Sequence, residues 1–286
     1  MDTELVRRGA SEGTRATARY RLDGLTESVA TGPLSALTPR RCASLYEAYA
    51  KTHKPTTHHN ALKQAKAWGA WAVKQGQAKV NPWAGIQPIG RKAHGKKQLR
   101  LDDTAKLFDY CVSVAEVSDD ACAVLIGLVL GLRASEIVGL TKTDLDAAGT
   151  LVWISKSKTQ AGVRPVRLPE VLQVPLKIRS DRSKKETGWR LLPYSRWWVR
   201  AATHRVCRLA RVPKITAHAL RGGGATEALE AGESPEVVAK WLGQKGTDTL
   251  RRSYAQGGAG ESAKAARRAE QLEALAKERS GKKEEE

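Results

Sequence analysis

The sequence has few cysteines, and no two of them stand at the spacing of a metal site. The four are far apart, and the chain contains no Cys-x-x-Cys pair. We therefore expect neither a zinc site nor a disulfide framework. Two of them lie among apolar residues, which is typical of small buried thiols in a reducing compartment. The four are Cys42, Cys111, Cys122 and Cys207, and the apolar pair is Cys111 and Cys122.

Long apolar runs are also missing. The longest covers residues 121–132, which is too short to span a bilayer and predicts a buried helix instead. The opening stretch, MDTELVRRGASEG, lacks the apolar core of a signal peptide. We therefore expect no membrane partner and a cytoplasmic location.

Acidic residues are in short supply. The chain has 30 Asp and Glu residues against 49 Lys and Arg residues, which gives a formal net charge of +19 and a pI of about 10.0. Such an imbalance indicates a polyanionic partner, most often nucleic acid. A surface that is charged only for solubility does not need such an excess of basic over acidic residues. We therefore expect the protein to bind DNA and to be associated with the nucleoid.

The pattern of composition predicts five segments. Residues 1–35 are polar and suggest an arm without fixed structure, and residues 36–88 form a small helical DNA-binding domain. Residues 89–98 are rich in Gly and Lys and indicate a basic linker. A second, larger domain covers residues 99–260, and residues 261–286 form a helix with a charged tail.

Local signals in these segments predict a fold that is mainly α with a small β-sheet, an α+β class. Thr38 followed by Pro39 starts one helix, and Asp102 or Asp103 caps the first helix of the larger domain. The stretches TLVWIS and VRPVRLP are short strands around the turn KSKTQAG. A later helix starts at Thr216 and stops at Gly232.

Cationic residues stand near the predicted helix ends of the larger domain. Arg133 follows the apolar helix with Glu136 three residues on, and a surface ion pair would explain an isolated case. His218 and Arg221 are three apart, so they share a helix face in its first turns, where an anion is favoured. Glycines 222–224 follow, and their helical cost indicates close packing against another backbone or DNA.

Three further candidates are weak when taken singly. Lys158 lies near the predicted hairpin turn, where a lysine is usually an edge charge, and the pattern does not separate it from Lys156. Tyr254, one of six tyrosines, follows two arginines and by itself suits a helix end. Together the candidates suit phosphoryl transfer, because guanidiniums grip phosphate oxygens and a tyrosine near cations deprotonates more easily.

The boxes that carry these residues resemble those of the tyrosine recombinases, the phage integrase family. GLRASEIVGLT resembles the first-arginine box, HALRGGGATEAL the His-x-x-Arg box, and VVAKWLGQKGTDTLRRSY the segment that leads to the nucleophile. The resemblance covers roughly residues 35 to 260. It implies a helical core-binding domain followed by the family's catalytic domain, closed as a clamp around double-stranded DNA.

The resemblance also implies roles. Tyr254 would attack a scissile phosphate and form a 3′-phosphotyrosyl link, while Arg133 and Arg221 hold that phosphate. Lys158 would protonate the leaving oxygen and His218 would assist proton transfer. No metal, ATP or other cofactor would be needed. Four protomers would act on two DNA sites, the tail helix of each docking on a neighbour; the sequence assigns no accessory DNA-bending protein.

Two departures from the family pattern concern the segment before the tyrosine. Gln244 stands where the family usually has His or Trp, and glutamine donates a hydrogen bond but carries no proton as histidine does. The stretch from Gln244 to Tyr254 is also one residue longer than usual. Alternatives to a site-specific recombinase are therefore a DNA-binding protein with impaired catalysis and an enzyme like a type IB topoisomerase.

The excess of basic residues leads to a test by salt titration. DNA affinity should fall steeply as salt rises, because each lysine or arginine that contacts a phosphate releases a counterion. Binding of the full chain to a labelled duplex, measured by fluorescence anisotropy over a salt series, checks this. An affinity that stays flat across the series would contradict a charge-driven DNA clamp.

Overall fold

The computed structural model describes residues 2–29, 32–91, 99–157, 160–248 and 250. The chain divides into two compact units, residues 1–94 and residues 95–286. The expectation of a mainly helical chain with a small sheet is confirmed. Within the described residues, no helix is both long and apolar enough to cross a membrane.

Four α-helices build the part of the first unit that the structure describes. Thr38 caps α3, its side chain accepting a hydrogen bond from the Arg41 amide at 3.3 Å, and Pro39 is the first helical residue as predicted. Helices α2, α3 and α4 pack on one another, and α1 packs on α2. The helices are α1 (Asp2–Arg7), α2 (Glu12–Thr26), α3 (Pro39–Thr52) and α4 (Pro55–Lys74), with 3₁₀ turns at Glu27–Val29 and Leu34–Ala36.

The core of the first unit forms where these helices meet. Tyr46 of α3 and Leu62 of α4 are buried there together with Trp83 from the turn that follows α4. The Tyr46 hydroxyl lies 2.8 Å from Nδ1 of His58 and accepts a hydrogen bond from the Ile89 amide at 3.1 Å. These bonds connect the segment after α4 to the helices.

The prediction of an unstructured arm over residues 1–35 is wrong for most of its length. Ser11 caps α2, and Leu25 of α2 is buried in the core of the first unit. Ala18, Leu22 and Leu25 are spaced four and three apart, so they share one helix face. The polar majority of the segment occupies the other faces and hides this narrow apolar stripe.

Seven α-helices and one hairpin make up the described part of the second unit. Helix α6 is central, because residues 121–127 are buried throughout and α5, α8, α9 and α10 all pack on it. The helices are α5 (Leu101–Val114), α6 (Asp119–Val129), α7 (Ala134–Ile137), α8 (Glu170–Arg182), α9 (Arg196–Leu209), α10 (Ala217–Glu230) and α11 (Pro235–Trp241), with 3₁₀ turns at Lys142–Asp144, Gln160–Gly162 and Lys185–Thr187.

The hairpin consists of two antiparallel strands, β1 (Leu151–Ile154) and β2 (Arg164–Arg167). Both strands match the predicted segments. In their register Val152 pairs with Val166, and Ile154 pairs with Arg164. Arg164 therefore stands at the end of the hairpin from which the connecting loop leaves.

Two details of the second unit differ from the sequence expectations. Arg100 occupies the N-cap position of α5 without a side-chain capping bond, and Asp102 and Asp103 lie in the first turn, where the positive end of the helix dipole favours carboxylates. Helix α8 was not predicted, because Pro175 lies inside it and its apolar residues form no clear stripe. Buried Leu172 and Leu176 hold it against α6.

All four cysteines are free and buried, as expected of Cys111 and Cys122. Burial raises the pKa of Cys42 to about 11 and that of Cys111 to about 12. Thiols of such high pKa stay protonated at neutral pH and act as small apolar groups.

Candidate active site

The carbonyl end of helix α11 is the point at which the two candidate arginines, Arg133 and Arg221, meet. The helix ends in a Schellman turn, in which the Gln244 amide donates to the Ala239 carbonyl and the Gly243 amide to the Lys240 carbonyl, both at 2.9 Å. Gly243 adopts φ +59°, the left-handed conformation that this turn requires. The next three carbonyls, those of residues 241 to 243, have no amide partner within the helix and need other donors.

Arginine side chains from three separate elements donate to these three carbonyls in turn. Nε of Arg164 donates to the Trp241 carbonyl at 2.9 Å. The terminal nitrogen Nη2 of Arg221 donates to the Leu242 carbonyl. The terminal nitrogen Nη2 of Arg133 donates to the Gly243 carbonyl at 3.4 Å. Positive charge at the carbonyl end of a helix is also favoured by the helix dipole. The turn after α11 therefore gathers the three guanidiniums.

Arg221 lies in α10 and is only 2% exposed. Its second terminal nitrogen donates to the Gly131 carbonyl at 2.5 Å, just after the central helix α6. The guanidinium thus joins the ends of α6 and α11 and is held in one orientation. A buried guanidinium fixed by backbone carbonyls cannot be exchanged for lysine without loss, because lysine lacks the planar fork.

Arg133 occupies the N-cap position of helix α7 and is paired with Glu136. Its amide donates to one carboxylate oxygen of Glu136 at 3.0 Å, and its guanidinium donates to the other at 2.5 Å. Ser157, in the loop after β1, donates its hydroxyl to the same Glu136 oxygen at 2.8 Å and accepts a bond from Arg133 at 3.4 Å. This pair is therefore partly buried and tied to the hairpin loop.

Glu136 is 2% exposed, so its charge depends on these partners. Burial raises the pKa of Glu136, but the hydrogen bonds from Arg133 and Ser157 outweigh it and hold the pKa below its usual value. The carboxylate of Glu136 thus lies close to the positive charges of both Arg133 and Arg164. The surplus of positive charge in a partly buried place suits an anion such as a phosphate.

The loop between β1 and β2 packs closely against the turn that follows α11. Nitrogen Nη1 of Arg164 donates to the Gly162 carbonyl at 2.8 Å. A Cβ atom on Gly243 would lie 2.6 Å from this nitrogen and 2.9 Å from Cα of Gly162. Glycine is therefore required at residue 243 both for its φ angle and for space.

His218 and the glycines after Arg221 lie in α10. Thr216 caps the helix as predicted, its hydroxyl accepting from the Ala219 amide at 3.3 Å, and His218 is exposed in the first turn. Close packing is found at Gly224, but against a side chain, since a Cβ there would lie 3.0 Å from the Trp241 ring. At Gly223 a Cβ would meet no protein atom of the described residues within 4 Å, so packing of this residue against another backbone is not found.

Gln244 directly follows the turn to which the arginines donate. Its side-chain Oε1 atom is buried and has no hydrogen-bond partner among the described residues. Lys156 is exposed in the loop after β1, next to Ser157. Lys158 and Tyr254 lie outside the described residues, so their places in the site stay predictions.

Sequence reasoning missed two side chains at this centre, Ser157 and Arg164. Ser157 stands between the two candidate lysines, and Arg164 was taken only as part of a strand. A serine among lysines and an arginine in a strand carry no local signal. Their roles arise from bonds to residues far away in the chain, such as that from Arg164 to Trp241.

Comparison with models of protein families shows to which family the chain belongs. The model described as the phage integrase family matches residues 97–259, more than half of the chain. The chain belongs to the phage integrase family. It is a tyrosine recombinase, an enzyme of DNA recombination.

Curated relatives of this recombinase are also named tyrosine recombinases. The chain is 27% identical over 209 residues to the tyrosine recombinase XerC of Mycobacterium bovis (strain BCG / Pasteur 1173P2), and the match covers 68% of this chain and 70% of the relative. It is 29% identical to XerC of Escherichia coli O6:K15:H31 over a shorter stretch of 93 residues, which is 32% of this chain and 31% of the relative.

Solved structures share the fold of the recombinase. The Tn1549 transposon integrase in complex with a circular intermediate DNA has a TM-score of 0.71 at 18% identity, covering 93% of this chain and 97% of that one. A lambda integrase tetramer bound to a Holliday junction has a TM-score of 0.67 at 17% identity, covering 86% of this chain and 76% of that one. At such identities the likeness shows the fold alone.

The lowered pKa of Glu136 predicts how the stability of the recombinase depends on pH. A carboxylate with a depressed pKa stabilises the folded state above the usual carboxyl range, and this stabilisation is lost as the pH falls through the folded pKa. We expect Glu136→Gln to lower the free energy of unfolding by about 2 kcal/mol at neutral pH. The difference from the unsubstituted protein should shrink as the pH falls below about 4.

Urea unfolding of both proteins over a pH series measures this difference. Glu170→Gln, which removes an exposed carboxylate at the start of α8, serves as the matched control and should change little at any pH. A difference between Glu136→Gln and the unsubstituted protein that stays constant with pH would contradict the charged state assigned to Glu136.

Proposed function

We propose that this recombinase cuts and rejoins duplex DNA at specific sites through a 3′-phosphotyrosyl intermediate. The observation that supports this most is the convergence of Arg133 and Arg221 on adjacent carbonyls after α11, with Glu136 paired to Arg133. Two guanidiniums oriented on adjacent carbonyls suit the non-bridging oxygens of one phosphodiester. The match of the family model over residues 97–259 supports the same reaction.

In the proposed step the Tyr254 oxygen attacks the scissile phosphorus. A bond forms between phosphorus and the tyrosine oxygen, and the bond to the 5′ oxygen of the next nucleotide breaks. The proton of the tyrosine leaves with the help of His218, and Lys158 gives a proton to the departing 5′ oxygen. Attack by the 5′-hydroxyl of a partner strand reverses the step and joins the new strands.

The guanidiniums stabilise the charge that develops on the phosphate oxygens in the transition state. Arg221 is held by backbone carbonyls and Arg133 by Glu136, so little reorganisation is needed when the phosphate arrives. The amide of Gln244 donates a further hydrogen bond to the phosphate. Because one ester is exchanged for another of similar energy, the reaction needs no ATP, and in this proposal the cations replace a metal.

The proposed substrate is a pair of double-stranded DNA sites held by four protomers. The net charge of +19 suits such a polyanion, and a lambda integrase tetramer on a Holliday junction is among the structures that share the fold. The proposed location is the cytoplasm, in association with the nucleoid.

A covalent-capture experiment tests the proposed intermediate. The full chain is incubated with a pool of nicked duplexes of random sequence, in which the short fragment next to the cleavage point diffuses away and prevents rejoining. We expect denaturing gels to show the protein linked to DNA, because Tyr254 then stays esterified. Tyr254→Phe should form no adduct, whereas Tyr20→Phe, which alters an exposed tyrosine of the first unit, should react normally.

An adduct formed by Tyr254→Phe would show that another residue is the nucleophile. Absence of any adduct from the unsubstituted protein, under conditions in which it binds the duplexes, would contradict the proposed function. Relaxation of supercoiled plasmids of any sequence, without exchange between two duplexes, would instead indicate a topoisomerase.

The role of the lysine is tested with a second substrate, in which sulfur replaces the 5′ bridging oxygen at the site found by capture. Sulfur leaves as a thiolate and needs no proton from the protein. We expect Lys158→Ala to cleave the normal substrate about 100-fold more slowly and the sulfur substrate at nearly the normal rate. Lys156→Ala is the matched control; if it alone shows this pattern, the assignment of Lys158 is wrong.

A further inference from the structure

Arg164 is a third arginine at the centre, and its contacts differ from those of the other two. Its Nε atom donates to the Trp241 carbonyl at 2.9 Å, and its Nη1 atom donates to the Gly162 carbonyl at 2.8 Å. The first acceptor ends helix α11, and the second belongs to the loop between β1 and β2. Arg164 thus bridges two segments that are far apart in the sequence.

The same loop is held at its other described end as well. Ser157 donates to Glu136 at 2.8 Å and accepts from Arg133 at 3.4 Å. The Ser157 side chain also fills the space above Gly162, where an added Cβ would lie 1.9 Å from the serine hydroxyl. The two described ends of the loop therefore touch each other, and each is bound to an arginine of the centre.

Close packing makes the position of Arg164 sensitive to change. An added Cβ on Gly243 would lie 2.6 Å from its Nη1 atom and 3.0 Å from the Ala161 carbonyl oxygen. The Nη2 atom is buried without a hydrogen-bond partner among the described residues, so this side chain is not satisfied in the way a surface arginine is by water. Its geometry is kept by the two carbonyls rather than by a carboxylate.

Arg164 interacts electrostatically with the ion pair of Arg133 and Glu136. Burial lowers the pKa of Arg164, Glu136 raises it and Arg133 lowers it further. It therefore shares the electrostatic surroundings of that pair although it comes from a different element.

We propose that Arg164 is a positioning residue that holds the Gly162 end of the hairpin loop against the turn after α11, and that the proton transfer assigned to Lys158 in the proposed function depends on this contact. This inference rests on the proposed function. Arg164 acts through Gly162 and the α11 turn and need not touch the DNA. Lysine cannot replace it fully, because one ammonium group cannot reproduce a planar fork that reaches two carbonyls in different directions.

The test uses the full chain and the two substrates described for the lysine, under single-turnover conditions. We expect Arg164→Gln to cleave the normal substrate about 10- to 100-fold more slowly, because a shift of the lysine by about an ångström has that cost. Its rate on the sulfur substrate should be much closer to normal, since that leaving group needs no proton. Arg164→Lys should recover part of the rate on the normal substrate.

Arg167→Gln is the matched control, because Arg167 is exposed on the same strand and its loss removes the same charge. DNA affinity of the two variants should agree within about twofold, since each has lost one cation. Thermal unfolding monitored by circular dichroism shows whether Arg164→Gln is folded at the assay temperature. If Arg164→Gln is unfolded, the cleavage rates of Arg164→Lys on the two substrates are compared instead.

Three results would overturn the inference while leaving the proposed function intact, provided that the unsubstituted protein forms its covalent adduct. One is a cleavage rate of Arg164→Gln equal to that of Arg167→Gln. Another is an equal loss on the normal and the sulfur substrates, which would mean that Arg164 does not act through the lysine. The third is a loss in DNA affinity alone, with the cleavage rate at saturation unchanged.

Discussion

The second unit depends on one interaction, the donation of three guanidiniums to successive carbonyls at the end of α11. A helix end buried without partners is costly, and here the partners are charged donors from the N-cap of α7, from β2 and from α10. The hydrogen bonds that complete the helix therefore also bring the cations together. Stability of the fold and assembly of the proposed phosphate site follow from the same contacts.

This arrangement concentrates positive charge, and the carboxylate of Glu136 reduces the repulsion between the guanidiniums. Its carboxylate accepts from Arg133 and Ser157 and lies within the electrostatic reach of Arg164. Glu136 carries one negative charge against the positive charges of Arg133 and Arg164, and this leaves a surplus that a phosphate can neutralise. Backbone carbonyls orient the arginines without cancelling their charge, which a further carboxylate would do.

The sequence predicted the caps at Thr38 and Thr216 and both strands of the hairpin, because such signals act over a few residues. It failed for α8, where Pro175 obscures the pattern and burial of Leu172 and Leu176 stabilises the helix. Helix α2 was also missed, since its apolar stripe is narrow and becomes significant only when α4 covers it. Tertiary packing outweighs local propensity in both cases.

The sequence by itself determined the charge of the chain, the kinds of most of its elements and the order of the boxes that carry Arg133, His218 and Arg221. Only the tertiary structure decided that Arg164 and Ser157 belong to the same centre. Periodicity and capping are local properties that a short stretch encodes. A bond such as that from Arg133 to the Gly243 carbonyl joins residues 110 positions apart, and only the packing of α6, α10 and α11 brings those atoms within reach.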